Sequence, residues 1–223
     1  MELYMPHDPL TYPDGSHDKF NALRPLVGYG PESMYVAYNG FYPPELGHVE
    51  SRTASPDRSH NETLDSLVIT GALGLVAYLF LFGAVFYWGF RWLGLLNTRR
   101  QFWIYVGLSF AIFLALFILF VSLERPYFFA VAVPLGFLAG TVLYLTWFAF
   151  QTTRKGASVT GAMGKIHPHA VLLVAILAAI LAHFVEINFA ISIAATHTTF
   201  WALAGMLVVL GLQWLPGEVE AQP

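Results

Sequence analysis

The sequence predicts an all-α fold: a polytopic membrane helix bundle of about five transmembrane spans behind a polar N-terminal segment. Three observations predict it. Apolar residues make up 57% of the chain and charged residues only 11%, whereas soluble proteins carry about 25% charged residues. The apolar residues gather into runs of the roughly 20 residues needed to cross a bilayer. The basic residues that lie beyond the polar segment collect in alternate gaps between those runs.

Residues 1–65 are the first element and hold ten acids against four bases. They are dense in aromatics (Tyr29, Tyr35, Tyr38, Phe41, Tyr42) and carry turn signals at Gly28-Tyr29-Gly30-Pro31 and Tyr42-Pro43-Pro44. Disordered segments are poor in aromatics, so an ordered extracytoplasmic loop is expected. The first span is 66–90, with 25 residues from Ser66 to Phe90 free of charge. The second and third, 102–123 and 126–150, are separated only by Glu124 and Arg125. Residues 152–168, rich in Thr, Gly and Ser, read as a mobile cytoplasmic linker. A fourth span, 170–188, carries His183 and Glu186 near its end. A fifth covers 196–215 and leaves 216–223 as a cytoplasmic tail.

Orientation follows from charge. The gaps after the first and third spans hold Arg91, Arg99, Arg100, Arg154, Lys155 and Lys165, whereas Glu124-Arg125 holds one base and the turn near 188–195 none. This positive-inside asymmetry places residues 1–65 outside the cytoplasm, and Trp88, Trp92, Trp103, Trp147 and Trp214 form an aromatic belt at the inner ends. Met1-Glu2-Leu3-Tyr4 opens no basic or apolar signal region. Further spans upstream are therefore expected, making this chain the C-terminal part of a larger protein; the alternative is an N-out protein whose tail is translocated by itself. The chain has no cysteine, so disulfide and thiol chemistry are excluded. No cofactor, metal or nucleic-acid partner is expected.

Polar chemistry concentrates in Asp57-Arg58-Ser59-His60-Asn61-Glu62, at the lip of the first span. Ser59-x-x-Glu62 matches a capping box, which predicts a helix starting at His60. Its free N–H groups and positive dipole end would suit an anion such as phosphate. The dipole favours a neutral His60 able to accept a proton, and Asp57, Glu62 and Asp65 oppose it. Alternatively, Ser59 and Asn61 only cap the helix and His60 is a solvated neighbour. Arg58, Arg24 and Arg52 offer planar forks suited to phosphate oxygens, or else neutralise the acids around them; Arg58 ranks first for its adjacency to the helix start. His183 and Glu186 share a helix face at i,i+3, and ionisable groups inside a span are functional candidates. With His197 they form either a structural pair at the interface or a metal set, although His-x-x-Glu is a weak metal signal. Gly28-x-Gly30 is no dinucleotide fingerprint, since it lacks a third glycine and a strand–helix unit. Asn61-Glu62-Thr63 fits the glycosylation pattern by coincidence.

His60-Asn61-x9-Gly71-x-x-Gly74 resembles the loop-to-helix motif of the O-antigen ligase and O-antigen polymerase superfamily of bacterial envelopes. Gly28-Tyr29-Gly30-Pro31-Glu32-Ser33 resembles a segment early in the large periplasmic loop of these proteins, and His183-Phe184-Val185-Glu186 with 196–201 resembles their C-terminal spans. The likeness runs from about Asn21 to Leu210. It implies the C-terminal half of a membrane-type (GT-C-like) glycosyltransferase in the bacterial inner membrane. Such enzymes transfer a glycan from an undecaprenyl-diphosphate carrier to a glycan or lipid acceptor without metal. By the resemblance His60 is the base that activates the acceptor hydroxyl. Arg58, Arg24 and Arg52 bind the diphosphate, with Asn61, His183 and Glu186 completing the substrate site. The upstream half of the family's dozen spans is missing here. Three rivals stand beside this reading: a protein O-oligosaccharyltransferase of the same superfamily, an intramembrane metallohydrolase built on His183, Glu186 and His197, and a non-catalytic remnant.

Overall fold

The computed structural model describes residues 7–12, 14–51, 58–154, 156, 158 and 167–212. Four helices are long and apolar enough to cross a membrane: Glu62–Trp92, Arg99–Ser122, Pro126–Arg154 and Ala194–Leu212. The stretch expected to span at 170–188 is an apolar helix of 17 residues, Ala170–Glu186, at the short limit of the crossing range. Four such helices describe a multi-pass membrane protein. Among the described residues there is no strand; an isolated bridge pairs Thr11 with His17. The tail expected at 216–223 lies outside the described residues, as does most of the predicted linker. The chain divides into two compact units, residues 1–81 with 187–192 and residues 82–186 with 193–223.

In the first unit, a 3-10 turn at Asn21–Leu23 runs into helix α1 (Arg24–Val27). Helix α2 (Met34–Ala37) runs into a second turn, Tyr38–Phe41, and a third covers Pro44–His48. The long helix α3 (Glu62–Trp92) begins in this unit and is broken at Gly71, whose φ of 69° and ψ of −170° are non-helical. Glycine alone adopts that backbone region freely. The leg below the break, 72–92, is about 31 Å long at 1.5 Å per residue and matches the roughly 30 Å hydrocarbon core unaided.

The cause of the break lies in the loop. Gly28 has the same unusual backbone (φ 73°, ψ −172°), and the two glycines meet. A Cβ on Gly28 would sit 2.4 Å from the Ile69 carbonyl, and one on Gly71 would sit 2.3 Å from that of Leu26. The break strips the Val68 and Ile69 carbonyls of helical donors, and the Tyr29 and Gly30 N–H groups replace them at 2.8 and 2.9 Å. Gly74 serves a different contact: a Cβ there would overlap the Thr70 side chain. Gly28, Gly71 and Gly74 thus each meet an identifiable steric contact, and Gly28 and Gly71 are halves of one junction.

The second unit holds the rest of α3 with α4 (Arg99–Ser122), α5 (Phe129–Arg154), α6 (Ala170–Glu186) and α7 (Ala194–Leu212). Thr98 and Gln101 form a reciprocal capping box that starts α4. Helices α4 and α5 form an antiparallel hairpin. Along α5 every fourth residue from Ala132 (Gly136, Gly140, Tyr144, Phe148, Thr152) is buried. A Cβ on Gly136 or Gly140 would strike the Phe113 or Ser109 backbone at 2.9 or 2.5 Å, the close approach that small residues permit between membrane helices. Tyr105 and Thr141 hydroxyls bond across the hairpin at 3.2 Å. Phe82 packs on Phe184 and Phe200, and Phe137 packs on Phe86 and Phe184, with centroids 4.6–5.3 Å apart. Outward apolar residues such as Phe110, Ile118, Val171 and Val174 stay exposed, as expected of surfaces that face lipid.

Candidate functional site

The strongest polar constellation surrounds the start of α3, within the first unit. The helix begins at Glu62, two residues later than the capping box predicts. Asn61 is the cap, its carboxamide oxygen accepting from Leu64 N–H at 2.9 Å. Ser59 is diverted: its N–H and hydroxyl both donate to one oxygen of Asp65, at 2.8 and 2.6 Å. Asparagine caps as well as serine, and a carboxylate facing Ser59 decides between them. The expectation of an open anion site at this helix end is also corrected. Glu62 N–H donates to the Ile187 carbonyl at 2.9 Å and Leu64 N–H to Asn61, so protein acceptors already occupy these donors.

Beneath the cap lies a buried polar network whose centre, Asn188, is 1% exposed. Its carbonyl accepts from the Asn61 carboxamide at 2.7 Å, its side-chain oxygen from the Thr63 hydroxyl at 2.6 Å, and its side-chain nitrogen reaches the Tyr78 hydroxyl at 3.4 Å. In a straight helix the Cα atoms of residues 63 and 78 lie roughly 22 Å apart, too far for one carboxamide to serve both side chains. The break at Gly71 brings them within reach. Ser192 hydrogen-bonds the Glu62 carboxyl, whose other oxygen is buried without a partner among the described residues.

His60 projects from this rigid base. It is exposed, has no hydrogen-bond partner among the described residues, and sits at φ 55°. Left-handed backbone costs a non-glycine residue about 1–2 kcal/mol, and the hydrogen bonds of Ser59 and Asn61 on either side hold the main chain there. Glu32, in the Gly28–Ser33 turn, has a similar φ of 54°. It accepts from Arg58 Nη2 at 2.8 Å, and Arg58 makes no other hydrogen bond among the described residues. The two sequence motifs, apart in the chain, are therefore joined twice: by Arg58 to Glu32 and by the glycine junction. An exposed imidazole can accept a proton, and the Arg58 guanidinium, two residues away in the chain and bonded to Glu32 through Nη2 alone, keeps donors for an anion.

Arg24 is placed differently. Its Nε and Nη2 grip both oxygens of Asp18 at 2.8 and 3.0 Å, and Nη1 donates to the Gly28 carbonyl at 3.0 Å. The guanidinium also lies over the Phe20 and Tyr29 rings. Its hydrogen bond to Asp18 holds that carboxyl below the usual carboxylate range, against the opposing effect of burial. Arg24 is thus engaged in holding its own loop together. Arg52 lies outside the described residues.

His183 and Glu186 belong to the second unit. His183 Nδ1 is 3.6 Å from the Glu186 carboxylate, and its ring stacks on Phe200 at 5.9 Å. Among the described residues no three His, Cys, Asp or Glu side chains gather as a metal set, so His183, Glu186 and His197 do not assemble the centre that the metallohydrolase alternative needs. Sequence reasoning singles out His60, Asn61 and Arg58, weighs Asp65 only as a charge near His60, and gives no role to Asn188, Thr63 or Glu32. An asparagine closing an apolar run was the available signal for Asn188. No family model matches this chain, and neither a curated protein nor a solved structure matches it.

Proposed function

We propose that this chain takes part in transferring a glycan from an undecaprenyl-diphosphate carrier to an acceptor hydroxyl, in the manner of O-antigen ligases and polymerases, at the outer face of a bacterial cytoplasmic membrane. His60 accepts the proton of the acceptor hydroxyl as that oxygen bonds to the anomeric carbon. The bond from that carbon to the diphosphate breaks, and Arg58 stabilises the negative charge gathering on the departing phosphate. The acceptor, whether glycan, lipid or protein, presents the same hydroxyl chemistry. Arg24 is left out of this machinery because Asp18 and Gly28 occupy it.

The observation that carries the proposal is His60 itself: exposed, strained, anchored by a buried network at the mouth of a membrane helix, two residues from a partly free arginine. The test is transfer from a labelled carrier-linked glycan by membranes containing the protein. His60→Ala should lower turnover by about 10²–10⁴-fold, the usual contribution of a general base, with carrier binding and the amount inserted unchanged. Arg58→Lys should instead weaken carrier binding, since lysine keeps the charge but loses the two-pronged phosphate contact. Near-normal transfer by His60→Ala would falsify the assignment.

A further inference from the structure

The short helical stretch of the first unit displays large apolar side chains: Phe20 is 59% exposed, and Leu23, Leu26 and Val27 are each 50% exposed. Their spacing of three and four residues lines one side of a helical turn. Between residues 20 and 31 the only charge is Arg24, and Asp18 neutralises it through both oxygens. Nothing in water rewards such a surface.

The position of the stretch supplies the reason. Leu26 and Val27 abut Gly71 backbone to backbone, and Gly71 tops the leg of α3 that by itself matches the thickness of the hydrocarbon core. That leg displays Leu73, Val76 and Phe80 at 63%, 64% and 74% exposure. The patch on the loop therefore continues the apolar surface of a membrane span at the level where acyl chains give way to headgroups. The junction also meets a need of the helix. Non-helical backbone near hydrocarbon is tolerated only where protein covers it, and the Tyr29 and Gly30 N–H groups cover the carbonyls exposed by the break.

We propose that residues 20–27 are a membrane anchor, lying in the headgroup–acyl boundary with Phe20, Leu23, Leu26 and Val27 in contact with lipid. Segments of this kind sink about 5–10 Å below the headgroups. Lys19, exposed beside the patch, extends toward headgroup phosphates as long basic side chains do at interfaces. The loop that carries Glu32 is then fixed to the bilayer as well as to α3, so the Glu32–Arg58 pair and His60 stay at the membrane surface, where a lipid-linked substrate presents its head.

The natural absence of cysteine permits a direct test by single nitroxide labels in vesicles of phosphatidylcholine and phosphatidylglycerol. Labels are placed through Leu23→Cys, through Phe20→Cys as an independent second site, through Val76→Cys as a lipid reference, and through Gly47→Cys as a water reference in the exposed third turn. Collision with oxygen reports acyl chains, and collision with a water-soluble nickel chelate reports solvent. Labels at 20 and 23 should resemble the label at 76, with nickel accessibility several-fold below that at 47. Nickel accessibility at 20 and 23 equal to that at 47, with 76 protected, overturns the anchor. Exposure of the label at 76 overturns the membrane span on which it rests. The outcome is independent of glycan transfer, so a failed transfer assay and a failed anchor are distinguishable.

Discussion

Replacing Asn188 by Leu tests the network beneath His60. The two side chains are close in volume, so the change opens no cavity, and the bond from Asn61 to the Asn188 carbonyl uses backbone and survives. What is lost is the acceptor of Thr63, a hydroxyl that is 0% exposed and donates at 2.6 Å. A buried hydroxyl left without a partner costs about 1–3 kcal/mol. The Tyr78 contact, at 3.4 Å, is long and adds little. Asn188→Leu should therefore destabilise the protein by about 1–3 kcal/mol, and Thr63→Val, which removes the hydroxyl that donates to the Asn188 oxygen, by a similar amount. Removing both partners with groups of matching shape is nearly neutral, so the double variant should lie within about 1 kcal/mol of the natural protein. The assay is reversible unfolding in mixed micelles of sodium dodecyl sulfate and a mild detergent, followed by helical circular dichroism and read as a double-mutant cycle. A double variant whose loss equals the sum of the two singles would refute the bond between Thr63 and Asn188.

Two further outcomes follow from geometry elsewhere. Gly140→Leu must drive α5 away from α4, since a Cβ there already falls 2.5 Å from Ser109 Cα; overpacking of this kind costs about 1–3 kcal/mol, and an unchanged thermal midpoint would contradict the hairpin packing. Asp18 is held below its ordinary carboxyl range chiefly by the hydrogen bond from Arg24. The stabilisation it gives the loop is therefore full above the unfolded value of about 3.9 and disappears as pH falls through the lower folded value. Protease cleavage within residues 20–30 should thus stay slow down to about pH 4 and rise below it, while Asp18→Asn should be cleaved readily at every pH.

The membrane class was legible because apolar length belongs to one segment at a time and needs no partner. His60, Arg58 and Asn61 were legible because polar residues at the edge of such a segment are conspicuous. The break at Gly71 was not, since glycine is ordinary within membrane helices and its backbone is set here by Gly28, far away in the chain. The start of α3 was misplaced for a related reason. Ser59 and Asn61 are equally good caps, and only the fold shows that Asp65 captures Ser59. Arg24 reads equally as a phosphate ligand or as a neutraliser of nearby acids until Asp18 is seen beneath it, because irregular loops have no period from which to infer a pairing. Asn188 lies in a segment that folds back to α3 from over a hundred residues away, so its role depends wholly on tertiary structure. The spacing Ala132-x3-Gly136-x3-Gly140 stands in the sequence as a face of small residues, but only the fold shows that α4 packs against it.

That hairpin bears on how the chain enters a bilayer. Arg99 and Arg100 open α4, Arg154 closes α5, and the connection between them carries Glu124 and Arg125 side by side. Inserting the two helices together carries only this net-neutral corner through the hydrocarbon. Inserting them from the opposite end would carry three arginines, at about 2.5–3.5 kcal/mol for each one at the centre of the membrane. Because Gly136 and Gly140 let the two helices mate backbone to backbone, entry as one hairpin with its corner leading is the less costly of the two routes on this charge count.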